Sequence, residues 1–440
     1  MPDMRSQSAD VVVIGGGTAG FGAAIAASRA GLRVSLLEAT AKIGGVMGFC
    51  PGMPWGGGYP VGRSIGGIFD ELTTRLMTLS PPAAAVRPST LENFGAEVIY
   101  DHETATYAMF EMLEEAGVDV HLNTIVGAPT VEGNRIRSIQ AYDRRGPISF
   151  TAELVIDCSG DGELSAKAGV PFTVGNGSGD MMGVTLSFTM IGADCAKVFA
   201  ESDPYFERYA AEGVATGRLH PDLAKLYLMR SFHPDAVFCN TVHIRGVDGT
   251  DPNAVSRATQ EGRRRCRQLA RFLVETVPGF ERARMIDLGP TVGVRETRRL
   301  EALLRITGTA IAQATRFEDG IVACDNPVDD VMRGDGAMTH DAAVNKGSFY
   351  TIPLRCLIPK TIENLLFAGR LICADPVAFA SVRGMPQCMA MGQAVGTTAA
   401  LAYRHGCAVQ AVNARDVVAA LVEQGVNRIG EDHPIEFNRA

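Results

Sequence analysis

Three glycines and one carboxylate carry the clearest chemistry in this chain. Gly15, Gly17 and Gly20 stand in the spacing G-x-G-x-x-G, directly after the β-branched run Val11 to Ile14 and before the alanine-rich stretch Ala23 to Ala30. Ala24, Gly31 and a second apolar run, Leu32 to Leu37, follow, and Glu38 closes that run. Strand, tight turn, helix, strand and acid together form a dinucleotide-binding fingerprint. Gly15 permits the turn, Gly17 lets backbone approach a pyrophosphate, and Gly20 lets helix pack on strand. The helix N-terminus offers unpaired N–H groups and a partial positive charge to phosphate. Glu38 would hold the adenosine ribose hydroxyls and repel a 2′-phosphate, which favours FAD or NAD over NADP. The expected contacts here are Gly15, Gly17, Thr18, Ala19, Gly20, Glu38 and Ala39.

The segments that must complete such a site lie further along. Lys42-Ile43-Gly44-Gly45 follows the acid in an E-x(5)-G-G arrangement, which resembles flavoproteins with the glutathione-reductase type of FAD fold and points to FAD rather than NAD. Leu154 to Ile156 reads as a strand ending in the turn Asp157-Cys158-Ser159-Gly160-Asp161-Gly162. Asn364 to Arg370 reads as another, followed by Asp375 and the small-residue helix that contains Met385 to Ala402. Together with the internal segments at 54–72, 294–300 and 348–370, the chain resembles FAD-dependent oxidoreductases that share their FAD domain with the fumarate reductase and succinate dehydrogenase flavoproteins.

The resemblance implies an α/β fold: a three-layer, Rossmann-like FAD/NAD(P)-binding domain with an inserted α+β substrate or cap domain. The FAD domain would be discontinuous, over 1–175 and 350–440, with the insertion at 176–349. The first strand is expected to pair with those near Leu154 and Leu365. By the same resemblance, backbone at Val126 faces adenine, while Gly44, Gly45, Ser159, Gly160 and Gly369 lie along the cofactor. The helix start at Met385 to Cys388, including Pro386 and Gln387, faces the flavin N1/C2=O edge, where reduced flavin gathers negative charge. Asp375 would accept from ribityl hydroxyls, although Arg370 stands where the family often has an acid.

The implied activity is hydride transfer between a small organic substrate and flavin N5, with a side chain handling the proton. A dehydrogenase or reductase is the leading reading and an oxidase using oxygen the alternative. A hydroxylase is disfavoured, because Lys167 stands near the arginine position of that pattern. Arg383, just before the flavin-facing helix, could clamp a carboxylate or polarise a carbonyl. Arg295 could face the substrate, Tyr350 could donate a proton over the flavin, and Tyr59 in a glycine-rich segment could line the cavity. His233, His243 and His340 stand singly; each is a candidate acid or base whose plainer reading is a solvated or satisfied histidine. No second G-x-G-x-x-G seats a nicotinamide, and Cys50 lacks a partner for a redox disulfide. FAD is therefore expected to be noncovalent, with Cys50 the one residue to test for attachment.

The composition agrees with an ordinary soluble globular protein. The 440 residues are 46% hydrophobic and 20% charged with a net charge of −8, which opposes binding to nucleic acid or an anionic membrane. The arginines at 263, 267 and 271 form a helical stripe without interleaved aromatics, read as a solvated face. Ten cysteines include no C-x-x-C pair and there is no H-E-x-x-H, so no metal site is expected. No secretion signal or apolar span of about 18 residues is visible, so a cytoplasmic, possibly homo-oligomeric protein with a small-molecule substrate is expected. Strand is predicted at 182–192, helices within 195–230 and over 253–277, an N-cap at Asp101 ahead of a structural His102, and a surface loop at 80–85.

Overall fold

The run of Val11, Val12 and Val13 is inaccessible to solvent on both faces, as a central parallel strand requires. In the computed structural model, which describes residues 5–50, 52–89, 93–334, 336 and 338–427, this run lies in β1 (Arg5–Ile14). The same sheet contains β2 (Val34–Leu37), β3 (Asp119–His121), β4 (Ile125–Glu132), β5 (Arg135–Asp143) and β6 (Gly146–Asp157). Their order is β3-β2-β1-β6-β5-β4. β1 runs parallel to β2 and β6, with Val11 opposite Val34 and Leu154, whereas β4, β5 and β6 form an antiparallel meander.

A second sheet belongs to the middle of the chain and orders β7 (Val184–Ile191), β8 (Leu228–Arg230), β9 (Ala236–Ile244) and β10 (Arg284–Ile286) as β8-β9-β7-β10. The last strand described, β11 (Leu365–Phe367), returns to the first sheet. It pairs with β6, Leu365 opposite Val155, and not with β1 as expected. The reason is that β6 already occupies the edge of β1 and presents its other edge to β11 near its C-terminal end.

Four helices bear on the site. α1 (Thr18–Arg29) follows β1, α2 (Pro252–Thr276) belongs to the middle segment, and α3 (Pro376–Val382) leads through Arg383 and Gly384 into α4 (Met385–His405). α1 and α4 touch backbone to backbone. A Cβ on Gly22 would lie 2.4 Å from the Met389 carbonyl oxygen, and one on Gly392 would lie 1.9 Å from that of Ala19. This close packing explains why both helices are written in glycine and alanine.

Two apolar cores result. One draws on 9–182 and 300–426, joining the two ends of the chain, and the other on 184–294. β7 alternates between them: Val184, Leu186, Phe188 and Met190 enter the second core beneath α2, while Thr185, Ser187 and Thr189 form an opposite face that is buried but polar. The expected helices within 195–230 are short, Cys195–Val198 and Glu207–Ala215. The segment at 80–85 is only partly a surface loop. Ala83 and Ala84 are buried, and Ala84–Pro88 is a strand pairing with Ala96–Tyr100, because these small apolar side chains pack inward once the exposed prolines are passed. Asp101 caps the helix His102–Ala116 by accepting from the Thr104 N–H. Among the described residues no helix is long and apolar enough to cross a membrane, and no cluster of ligands could hold a metal.

Candidate functional site

Two cavities adjoin between the cores. The larger, about 520 Å³, is lined by Gly15, Gly17, Thr18, Ala19, Glu38, Ala39, Gly45, Ser159, Gly160 and Gly369, among others. The start of α1 at Gly17 has no side-chain cap, so its first amides remain available to an anion. Glu38, 8% exposed, accepts from Gly16 N–H at Oε2 (2.7 Å) and from Thr40 N–H and Oγ1–H at Oε1 (2.8 and 2.7 Å). A carboxylate oxygen has lone pairs beyond those bonds, so Glu38 braces the glycine loop and still faces the cavity. Gly44 N–H donates to the Gly16 carbonyl at 2.7 Å, drawing the paired glycines against the first turn.

This lining fits FAD. The volume lies within the cofactor range of roughly 300–1,000 Å³, and uncapped helix starts occur at Gly17 and at Gly384, the cap of α4, whose neighbours Met385 and Cys388 line the cavity. The middle segment adds Thr250, Pro252 and Val255, from the loop into α2 and its first turn. No sequence signal singled these out, since only the tertiary arrangement places that helix start over the glycine loop.

Other predicted contacts lie outside the lining. Gly20 and Gly44 pack beneath it: a Cβ on Gly20 would stand 1.8 Å from the Gly15 carbonyl oxygen. Val126, Asp375, Pro386 and Gln387 line neither cavity. Asp375 caps α3 through Ala378 N–H and also accepts from Gly308 N–H, both at 2.8 Å. Gln387 is buried and donates to the Gly57 carbonyl at 2.6 Å. Arg370 lines both cavities, its Nη2 3.4 Å from Asp161 Oδ1.

The smaller cavity, about 190 Å³, shares Cys50, Val294, Arg383 and Met385 with the larger. Arg383 donates through Nη2 to the Asp329 carboxylate (2.5 Å) and carbonyl (2.8 Å). Asp329 and His340 are cross-strand partners in the short pair Val328–Asp330 and Thr339–Asp341, which sets the His340 Nε2 3.3 Å from Asp329 Oδ1. Burial pushes the Asp329 carboxyl upward, but Arg383, His340 and Arg295 together hold it below the usual carboxylate range. Arg295 also lines this cavity and donates through Nη1 to the Gly183 carbonyl (3.0 Å) and Thr185 Oγ1 (2.5 Å). Burial, then the nearby Arg383, lowers its pKa to about 10, so it remains a cation at neutral pH.

Arg383 and Arg295 are thus brought together, whereas Tyr350 and Tyr59 line neither cavity. Tyr350 is wholly buried with its hydroxyl 2.6 Å from Ser381 Oγ, and Tyr59 packs edge-on against Phe69. Burial pushes both phenols upward. Of the single histidines, His340 lines the cavity, while His233 sits at the surface beside Asp101, 3.1 Å away. Cys50 is buried at the junction, and that burial raises its thiol, keeping it protonated and a poor nucleophile.

His243 lies behind the wall. Thr185 Oγ1 accepts from Arg295 and is also hydrogen-bonded to His243 Nδ1, 2.6 Å away. Burial lowers the His243 pKa from 6.5 to about 3. The unfolded chain therefore binds more protons than the folded one between those values, and stability falls as pH drops below 6.5. Going from pH 6.5 to pH 5 is expected to remove about 2 kcal/mol through this group alone. Urea melts across that range should show the slope in wild-type protein and a flatter one in His243→Gln; equal slopes would assign the loss to other groups.

A family profile described as FAD dependent oxidoreductase matches residues 10–421. No curated protein sequence matches the chain. Among solved structures, the chain is similar to p-nitrophenol 4-monooxygenase PnpA from Pseudomonas putida DLL-E4, at 12% identity and a TM-score of 0.51, covering 96% of this chain and 86% of that one. It is also similar to a triple mutant of the flavin-dependent brominase Bmp2, at 13% identity and a TM-score of 0.51, covering 94% and 84%. At such identities the likeness shows a shared fold.

Proposed function

Since the chain belongs to the FAD-dependent oxidoreductase family, we propose that it works as a dehydrogenase or reductase on a small organic substrate held in the smaller cavity, with FAD in the larger. FAD, when bound, supplies the two-electron hydride acceptor or donor. The observation that carries this reading is the shared wall: Arg383 and Met385 face both cavities, so a substrate in one abuts a cofactor in the other.

The chain's own residues then have separable tasks. Arg383 keeps Asp329 ionised, and the field of that carboxylate, whose Oδ1 lies 3.3 Å from His340 Nε2, turns this ring nitrogen toward it. The other ring nitrogen, Nδ1, is left to take or give the substrate's proton. Arg383 itself presents charge beside the start of α4 and stabilises negative character that develops at the shared wall. Glu38, the α1 amides and the Ser159-Gly160 turn hold and orient the cofactor along the larger cavity.

The test is the visible spectrum of purified protein before and after acid precipitation, followed by anaerobic addition of candidate substrates. Oxidised flavin bands are expected, with the colour released into the supernatant because burial raises the thiols that line the larger cavity, Cys50, Cys158 and Cys388, and keeps them protonated. Bleaching of those bands by a small organic donor without oxygen is the expected sign of turnover. A colourless protein that takes up no added FAD would overturn the reading.

A further inference from the structure

The smaller cavity carries an excess of positive charge that the protein leaves unpaired. Of the charged groups on its wall, Glu97 is matched by Arg87 at 2.8 Å, Arg370 by Asp161 at 3.4 Å, and Arg383 by Asp329 at 2.5 Å. Arg295 alone makes no ion pair among the described residues: the carboxylate whose field reaches it, Asp329, is already engaged by Arg383, and only Nη1 is bonded, by a carbonyl and a hydroxyl. Two buried guanidiniums that share one carboxylate leave one positive charge in surplus, and a bound anion offsets it. A second feature lies on the same wall. Asn240 is 8% exposed, lines the cavity, and its side-chain amide makes no hydrogen bond among the described residues, with Oδ1 fully buried. Arg295 reaches the polar face of β7 through Thr185, and Asn240 stands on β9 at the register shift between the pairs Leu186–Val242 and Phe188–Cys239. The rest of the wall is largely apolar, as at Met53, Phe94, Met229 and Met338.

We propose that this cavity seats a small organic monocarboxylate, its carboxylate on the free edge of the Arg295 guanidinium, a neighbouring hydroxyl on the Asn240 amide and its short apolar remainder against the methionine-rich wall. The assignment rests on reading this cavity as the substrate pocket. It specifies one negative charge, because one cation is in surplus, and it makes Asn240 the residue that separates a hydroxy acid from a plain one. Because Oδ1 is sealed, the amide end open to a ligand is Nδ2, which can donate to a hydroxyl oxygen and has nothing to donate to in the plain acid.

The test is calorimetric titration of the FAD-loaded protein with pentanoate, 2-hydroxypentanoate and pentanamide at neutral pH, with the flavin band followed anaerobically alongside. Both acids are expected to bind, the hydroxy acid more tightly, and pentanamide at least about thirtyfold more weakly. Arg295→Met should abolish the preference for acid over amide, Arg295→Lys should retain part of it, and Asn240→Ala should erase only the preference for the hydroxy acid. Circular dichroism melts establish that each variant is folded, and the lysine variant keeps the test open if the methionine variant is not. Equal binding of amide and acid, an undiminished acid preference in Arg295→Met, or no heat from either acid at millimolar concentration overturns the proposal. The two readings fail separately. Acids that bind without any substrate ever bleaching the flavin sustain the anion seat and count against the oxidoreductase pocket, whereas bleaching by neutral donors without acid binding does the reverse.

Discussion

Gly17→Ala is expected to fold normally and yet lose most of its FAD, while Gly20→Ala is expected to lose both. At Gly17 the backbone has φ −67°, open to any residue, and an added Cβ would find its nearest protein atom 3.8 Å away, at Gly45. Alanine is a poorer helix cap than glycine, but that preference is worth under about 1 kcal/mol. The new methyl therefore costs the empty protein little and acts only where the backbone must approach a pyrophosphate, lowering FAD affinity at least about a hundredfold, or roughly 3 kcal/mol. At Gly20 the added Cβ would stand 1.8 Å from the Gly15 carbonyl oxygen, which is backbone and cannot swing aside. The turn and the start of α1 must then move, at a cost above the usual 1–3 kcal/mol of overpacking. Flavin-to-protein absorbance ratios and thermal melts of the two variants check the contrast. A Gly17→Ala protein that keeps its full complement of FAD would remove the phosphate role assigned to this loop.

Arg383→Ala is expected to lower kcat by at least about a hundredfold, the scale on which single groups that stabilise developing charge are lost, with FAD content kept. The substitution has a second consequence, because it strips a largely buried carboxylate of its 2.5 Å partner; Asp329 and Arg383 are 19% and 14% exposed. Breaking such a pair costs about 3–5 kcal/mol of stability. Combining it with Asp329→Asn removes the orphaned charge, so the double variant should regain most of the stability and little of the turnover. Recovery of both together would make Arg383 a structural residue whose loss harms activity through the fold.

Local motifs were legible and juxtapositions were not. The glycine fingerprint, Glu38 and the paired glycines all announce themselves within residues 15–45, because binding a dinucleotide imposes requirements on consecutive backbone, and the small-residue helix announces itself by composition at 385–402. Arg383 and Arg295 could be nominated from their positions beside such motifs. His340 could be named only as one of three single histidines and Asp329 not at all, since their meeting depends on a two-strand pairing of three residues each, too short for a periodic signal. Tyr350 and Tyr59 show the converse: tyrosines near recognisable segments packed away from both cavities. The one cue available in the middle segment was the alternation of Thr185, Ser187 and Thr189 with apolar residues. Such alternation normally means a solvated face, and here it means a buried polar wall.

The backbone contact between α1 and α4 also sets a schedule for the newborn chain. Gly22 meets Met389, so the first helix made waits for almost the last, an interval of roughly twenty seconds to a minute at ordinary rates of translation. Throughout that time the glycine-alanine face of α1 has no partner, and from the synthesis of Asp157 to that of Leu365 the edge of β6 that β11 will take is open to other strands. The yield of active protein is therefore set by a race on the ribosome, and conditions or chaperones that shield an unfinished N-terminal half should raise it without changing the stability of the finished molecule.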